Sequence, residues 1–475
     1  MRSISDPVFG LLSLTFQLPG LRLFMKDMIL QNPRLAHVQR ELKNTKVKGP
    51  GQDDTIPVSD STLAKLLPQR KVADQLVRIY VDNFETTYRV LHLPSFWAEY
   101  NAFWNAPLDG RPAFVALLLL ILAATNCLNG KDPGMFRGDS SAKREIAIMW
   151  IRNCDSWLQS QSQKHITLTM FQLHCLSFIS KQVNSVKRKR TWTSAGTLAR
   201  LAMSAGLHRN GHIVNLRHAT PSSKKVSVFD QEMRRRIWAT VSELELQAAL
   251  ERGMPAMMQG LDSDCGPPSN LEDEDFDHSV EQLPNTKPPS HFTGSSYQHL
   301  SRSSWSLRLE LVSLINGPES QMPYEDVLLY DKKIMQHLDD IPHWTDPKGL
   351  VPRILLQLQL QQFLLVLHRP YARDESWGSR HDYSAIIHLR SAITMIDLQD
   401  QLIKTGSSFL SLFRNDLLGA ALSICYNMSI PNPRPGTLMQ LKCHFSIVSP
   451  DDLDRASTSV PRLNRSIERG SCPLP

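Results

Sequence analysis

Residues 232–255 read EMRRRIWATVSELELQAALERGMP, and this stretch decides the fold. Ile237, Val241, Leu244 and Ala248 recur at spacings of three and four, which places them on one side of a helix. Asp230 stands where an N-cap is expected. Gly253 and Pro255 give the stop signal. Glu232 precedes Arg236 by four residues, the favourable orientation for a helical ion pair. Arg234, Arg235 and Arg236 then sit at the start of a helix, the wrong end for cations beside the macrodipole. That mismatch predicts a buried or partly buried salt bridge for at least one of them, with Glu243 or Asp273 as the natural acidic partner.

Upstream, residues 191–205 read TWTSAGTLARLAMSA. Ala195, Leu198, Ala202 and Ala205 share a face, and Gly206 can take the left-handed conformation that closes a helix. Further out, apolar helical patterns recur from about Arg70 to Ser423, and no strand-rich region interrupts them, so the fold class is all-α. Val72, Leu76 and Ile79 are the expected core stripe of the first helix, with Tyr80, Phe84 and Tyr88 a second at spacings of four, and Pro94 should end it. Ile146, Met149 and Trp150 are the expected stripe of another. A third helix is expected to start at Pro352 and stop at Pro370.

The chain divides into an irregular segment with a linker over 1–69, a helical domain over 70–430, and a tail over 431–475 that reads as disordered. Asn285–Ser304 is polar and proline-bearing and also reads as flexible. The net charge of +7 and pI near 9.0 permit an acidic partner without demanding one. The longest apolar run, Ala113–Ala124, is too short for a bilayer and reads as a core helix.

The seven cysteines stand singly at 127, 154, 175, 265, 425, 443 and 472, with no CxxC pair, which excludes a local zinc finger or ribbon spacing. No GxSxG elbow, P-loop, HExxH or strand-linked GxGxxG occurs, so no enzyme chemistry is expected and no cofactor site is read. His208 and His212 are four apart, but the intervening Gly211 argues against a helix, so a structural hydrogen-bonding role is expected for His208. Asp262, Asp264, Asp273 and Asp275 lack the EF-hand pattern and read as a solvated loop. Lys187, Arg188, Lys189 and Arg190 form a basic run with two readings, a nuclear localisation signal or a solvated loop.

Three of these stretches carry a resemblance. Trp192, Gly196 and Ala199–Ala202 with Gly206, His208 and Arg209 resemble one signature of the fungal-specific transcription factor domain, the middle homology region of Zn2Cys6 zinc-cluster regulators. Glu232 with Arg234–Trp238 resembles the second. Gly253, Met254, Pro255 and the Asp262–Asp273 segment resemble the third, and weaker likenesses lie at 88–96 and 367–371. The resemblance implies a multi-helical regulatory domain of a nuclear transcription regulator, of a kind that controls biosynthetic gene clusters. It implies DNA, a homo- or heterodimer partner and a small-molecule effector as partners. It also implies zinc, but the cysteine ligands are absent from this chain, so direct specific DNA binding is not expected of these 475 residues. The alternative is a helical small-molecule sensor or scaffold that acts through a partner.

Overall fold

Pro112–Thr125 is apolar all round, and a helix with no polar face must be enclosed by others. In the computed structural model of the protein it is: residues 114–125 are all buried, beneath helices before and after it. The structure describes residues 58–106, 111–128, 141–162, 167–210, 226–317, 322–373, 381–405 and 416–429, with isolated positions at 30, 31, 33, 136, 137 and 140. The expected linker and tail, and the end of the polar loop that holds His212, lie outside them.

The described residues form an all-α fold. In chain order the helices are α1 (Asp60–Lys65), α2 (Arg70–Asn83), α3 (Leu93–Asn105), α4 (Pro112–Thr125), α5 (Ala142–Ser160), α6 (Leu168–Val183) and α7 (Thr191–Ser204). Then come α8 (Val228–Arg252), α9 (Ser296–Ser303), α10 (Trp305–Ile315), α11 (Tyr324–Asp339), α12 (Leu350–Ala372), α13 (Asp382–Lys404) and α14 (Asp416–Ser429). A two-residue ladder, Phe136–Arg137 with Ser140–Ser141, is the one piece of sheet among the described residues.

Around α4 pack α1, α2, α5 and α6. Each leucine there that leaves water completely contributes roughly 2 kcal/mol. At the other end α12 is the second enclosed helix, held by α11 and α13, with α14 on the far side of α13. The segment Pro347–Ala372 has the length and apolar character to cross a membrane, but 67% of its most apolar stretch is buried in protein, as in a core helix. The long α8 joins the two halves, touching α6 and α7 on one side and α9 and α10 on the other.

Several expected details shift. In α2 the buried face is Ala73, Leu76, Val77 and Tyr80, while Val72 is 41% exposed. A small alanine takes the place expected of Val72, while Tyr80 and Phe84 of the second expected stripe are buried. Likewise in α5 Trp150 is buried but Ile146 and Met149 are exposed. Pro94 opens α3 rather than closing α2, at a first-turn position where its missing N–H costs nothing. Pro370 lies inside the last turn of α12, which runs on to Ala372. The N-cap of α8 is Ser227, whose hydroxyl accepts from Asp230 N–H at 3.0 Å, so Asp230 is a first-turn acid.

Two helices close alike. Gly206 follows α7 with φ +71°, and Leu207 N–H reaches back to Ala202 O at 3.0 Å. Gly253 follows α8 with φ +63°, and Met254 N–H reaches Ala249 O at 3.0 Å. Both are the six-to-one closure that satisfies carbonyls at a helix end. No atom lies within 4 Å of where a Gly253 side chain would begin, so any cost of substitution is a backbone cost. Gly253→Val is expected to lose about 1 kcal/mol or more in urea unfolding, and Gly253→Asn markedly less. Equal stability of all three proteins would mean that the left-handed closure carries no energy.

Candidate functional site

Glu232 and Arg236 face inward from the first turns of α8, and both are fully buried. Burial of a charge demands partners, and each of these has several. Arg236 Nε lies 3.4 Å from Glu232 Oε1, and its Nη1 lies 2.5 Å from Asp273 Oδ1. The same Asp273 oxygen takes the Nη2 of Arg89, which comes from the corner between α2 and α3. The second Asp273 oxygen accepts from Leu93 N–H at 2.8 Å, at the start of α3. Glu232 accepts from Ser269 N–H at 3.0 Å and from Ser269 Oγ at 3.2 Å, while Arg235 Nη2 reaches it at 3.1 Å from the rim. The guanidinium of Arg236 lies 4.8 Å from the centre of the Phe276 ring.

His92 completes this corner. Its Nε2 lies 2.8 Å from Asp273 O and 3.1 Å from Phe276 O, so that nitrogen carries the proton and donates. Nδ1 then accepts from Ser95, 2.8 Å from the hydroxyl. Three segments distant in sequence, 85–93, 232–236 and 269–276, are thereby joined by one cluster.

Electrostatics follows the geometry. Burial alone would raise the Asp273 carboxyl, but Arg89, Arg236 and the Leu93 N–H outweigh it and hold it well below the usual carboxylate range. Burial alone would lower Arg236, and Asp273 and Glu232 raise it instead. Glu85, one turn before Arg89, goes the other way: burial pushes it up to about 8, against Arg89, Leu91 N–H and the Tyr80 hydroxyl that donates to it at 3.0 Å.

The other sequence-marked residues lie on the flanks of this cluster. Arg234 Nη2 donates to Ala205 O at 2.8 Å, tying α8 to the end of α7 beside Gly206. Trp192 Nε1 donates to Pro255 O at 3.1 Å, so the first and third signatures are clasped directly. Gly196 is buried against Arg200 and Met257. Trp238 is buried with its ring centre 6.0 Å from that of His208. His208 departs from expectation: its Nδ1 has no partner, and its bonds run through the carbonyl, which accepts from Ser263 Oγ and Cys265 N–H. The ring is used for packing. Lys187–Arg190 is exposed, with Lys187 left-handed at φ +49° before a single 3-10 turn.

Sequence reasoning missed a second buried cluster on α8. Arg308 of α10 grips Glu243 with two bonds, of 2.9 and 2.7 Å. Ser301 and Gln359 add donors to the same carboxylate at 2.7 and 2.6 Å. Glu243 therefore serves Arg308 and not the arginine run. The stretch 285–304, expected to be flexible, is part of the core: Thr293, Ser295, Ser296 and Gln298 are buried, and Asn270 binds Thr293 Oγ1 at 2.6 Å and Ser296 Oγ at 2.8 Å. A polar composition hid a set of mutually satisfied side chains.

Metal chemistry finds no footing in the described residues. No group of three or more His, Cys, Asp or Glu is placed to hold a metal ion. Cys154, Cys175 and Cys265 are buried apart from one another. Burial pushes Cys175 up to about 12 and Cys265 to about 11, the opposite of the depressed thiols a zinc cluster uses. The cysteines described here do not fit a zinc cluster. An open cleft of about 180 Å³ between α5, α6 and α7 is lined by Asp155, Gln159, Met170, His174, Ser177 and Lys181.

Comparison with known proteins adds the following. The model of the fungal specific transcription factor domain matches residues 77–434. Transcription factor opdR of Penicillium oxalicum is 32% identical over 364 residues, covering 73% of this chain and 43% of that protein. Transcription factor asR3 of Sarocladium schorii is 28% identical over 358 residues, 69% of this chain and 40% of its own. The fusarisetin A cluster transcription factor fsa6 of a Fusarium species is 28% identical over 403 residues, 78% of this chain and 51% of its own. The chain thus spans about half the length of the curated relatives it matches. No solved structure matches.

The charges of this cluster make three substitutions informative. Arg236→Met leaves Asp273 and Glu232 buried with one cation fewer and is expected to cost about 3–5 kcal/mol in urea unfolding. Because the folded Asp273 carboxyl is depressed, its contribution is complete above its unfolded value of about 4 and is lost as the pH falls below that. Asp273→Asn should therefore be costly at pH 7 and nearly silent at the acid end of a pH series. Glu85 has the opposite sign. Its raised value favours the protonated fold, so stability declines as the pH climbs from about 4 in the unfolded chain towards about 8. Glu85→Gln should remove that decline, and an unchanged slope would refute the assignment.

Proposed function

Since the chain belongs to the fungal specific transcription factor domain family, whose members are transcription regulators, we propose that it governs the genes of a biosynthetic cluster from within the nucleus. The observation that carries this reading is the closure of the three signature segments on one another. Arg236 meets Asp273, and Trp192 meets Pro255, so the residues that mark the family are the ones that hold this fold. Relatives of similar sequence are named as cluster transcription factors, fsa6 among them, and that supports the choice of target.

In this reading the helical region is a regulatory platform. Recognition of DNA by zinc-cluster proteins needs closely spaced thiolates around zinc, and the seven cysteines of this sequence stand singly. DNA contact is therefore assigned to a module or partner outside these residues. The exposed Lys187–Arg190 run is the candidate for nuclear import. A second role, as a small-molecule sensor, is favoured by the cleft on α5, α6 and α7. Its floor carries both signs of charge, with Lys181 Nζ 2.7 Å from Asp155 Oδ1 and Ser177 donating to the same oxygen at 2.7 Å.

The test is a deletion strain profiled for transcripts, with a fluorescently tagged copy imaged in the complemented strain. A coordinated fall or rise in the transcripts of one contiguous gene set, with nuclear fluorescence, is the expected result. Loss of a single metabolite with every neighbouring transcript unchanged would point to an enzyme and sink the proposal.

A further inference from the structure

At the end of α12 stand two arginines, Arg369 and Arg373, that meet no acid among the described residues. Leu365, Arg369 and Arg373 follow one another at intervals of four, so they line one face of the helix end. On that face α13 docks through His388, whose Nδ1 lies 2.8 Å from Leu365 O. Beyond it α14 docks through Tyr426, whose ring centre lies 5.0 Å below the Arg373 guanidinium. Arg369 therefore lies between two helix contacts. Its Nε is sealed from solvent and has no hydrogen-bond partner, and the same holds for Arg373 Nε and for His388 Nε2. Neither arginine forms an ion pair among the described residues.

Among the described residues, Asp331 of α11 is committed to His368 at 3.1 Å and to the Tyr383 hydroxyl at 2.7 Å. One turn either side of His388 stand Ser384, Ala385, Ser391 and Ala392, and before Tyr426 stand Leu422 and Ser423. The helix C-terminus contributes about half a negative charge, against two guanidinium ions. Burial first, and Arg373 second, bring Arg369 down to about 10, and burial holds His388 down to about 3. A buried donor without a partner calls for an explanation, and a bound water or ion is one of those available.

We propose that the end of α12, with α13 and α14, is a binding site for a small oxyanion, a carboxylate or phosphate held by the forks of Arg369 and Arg373. Guanidinium matches both groups with paired N–H donors. His388 is neutral with its proton on Nδ1, so Nε2 is an acceptor. A ligand that also carries an O–H, such as hydrogen phosphate or a hydroxycarboxylate, satisfies it as well. This inference stands apart from the reading as a transcription regulator and does not depend on it.

The experiment uses the full chain, with inorganic phosphate and citrate titrated at ionic strength matched with sodium chloride. Melting is followed by scanning fluorimetry and binding by calorimetry. The expected result is a saturable rise in Tm of about 2 °C or more. Arg369→Met and Arg373→Gln should each weaken binding by about 10-fold or more. Arg369→Lys, which keeps the charge but loses the fork, should fall between them and wild type. Without any anion, Arg369→Met should melt above wild type, because a buried unpaired cation is gone. An equal response in the variants, or one that never saturates, would mean an adventitious ion only and would overturn the site. Asp374 and Glu375 follow Arg373 in sequence. If wild type ignores both anions and the Asp374→Asn, Glu375→Gln protein responds, the chain fills its own site and the proposal is equally overturned.

Discussion

One carboxylate holds three parts of this fold in register. Asp273 receives Arg89 from the α2–α3 corner, Arg236 from α8 and the N–H of Leu93 at the start of α3. The cluster of Arg89, Arg236, Asp273 and Glu232 carries two charges of each sign, so it is neutral as a whole. Neutrality does not make it cheap, since taking four ions out of water carries a desolvation penalty that well-packed apolar side chains would avoid. What it supplies is specificity. Apolar surfaces accept many relative positions, whereas a carboxylate shared between two guanidinium forks accepts very few. A loop of some 30 residues with little regular structure, 262–295, is positioned by that constraint rather than by a ladder of backbone bonds.

The same logic repeats along α8. Glu232 and Arg236 engage the Asp273 corner, Thr240 meets Gln298, and Glu243 meets Arg308, Ser301 and Gln359. Glu245 accepts Met257 N–H at 2.8 Å, and Gln247 meets Gln362 at 3.3 Å. At almost every turn a polar side chain fixes the helix against a different neighbour. Apolar Ile237, Val241, Leu244 and Ala248 fill the space between. This is why α8 reads poorly as an amphipathic helix although it is well buried. Its polar residues face inward as often as outward.

That explains what could be read in the sequence and what could not. The positions of most helices were legible because leucine-rich stripes such as those of α4 and α12 need only local periodicity, whereas α1 and α9 fall in stretches that read as irregular and flexible. The mismatch of three arginines with the α8 dipole pointed to a buried partner, and Asp273 was one of two acids that could serve. The choice between Asp273 and Glu243 was not legible, because it depends on where Arg308 lies, 65 residues from Glu243. Arg89 had no signal beyond its place in the weaker 88–96 likeness. The stretch 285–304 was misread for a related reason. Composition counts its serines and threonines as solvated, yet Asn270 and its neighbours satisfy them in the interior. In α2 the Val72–Leu76–Ile79 stripe was read one position out, because Ala73 faces the core and Val72 does not, while Tyr80 and Phe84 of the second stripe are buried as read. Helix ends placed on prolines failed where a proline sits in a first turn, as Pro94 does, and not in the middle.

A second triplet shows why connectivity alone does not define chemistry. His368 of α12 bonds Ser384 Oγ at 2.9 Å through Nδ1 and Asp331 Oδ1 at 3.1 Å through Nε2. Serine, histidine and aspartate in series invite comparison with a nucleophile and its base. A nucleophile must also meet a substrate, and a tetrahedral intermediate needs donors aimed at its oxyanion. Ser384 is 0% exposed, and its remaining neighbour is the Tyr324 hydroxyl at 3.4 Å. With Tyr383 on the second Asp331 oxygen, the group is a closed clasp between α11, α12 and α13. Clasps of this kind at both ends of the molecule leave the helices few alternative packings. A ligand that binds such a frame can act only through a difference in affinity between arrangements the frame permits. The open cleft on α5–α7, and the α12–α14 end, where Arg369 Nε and His388 Nε2 have no partner, are where such a difference can arise.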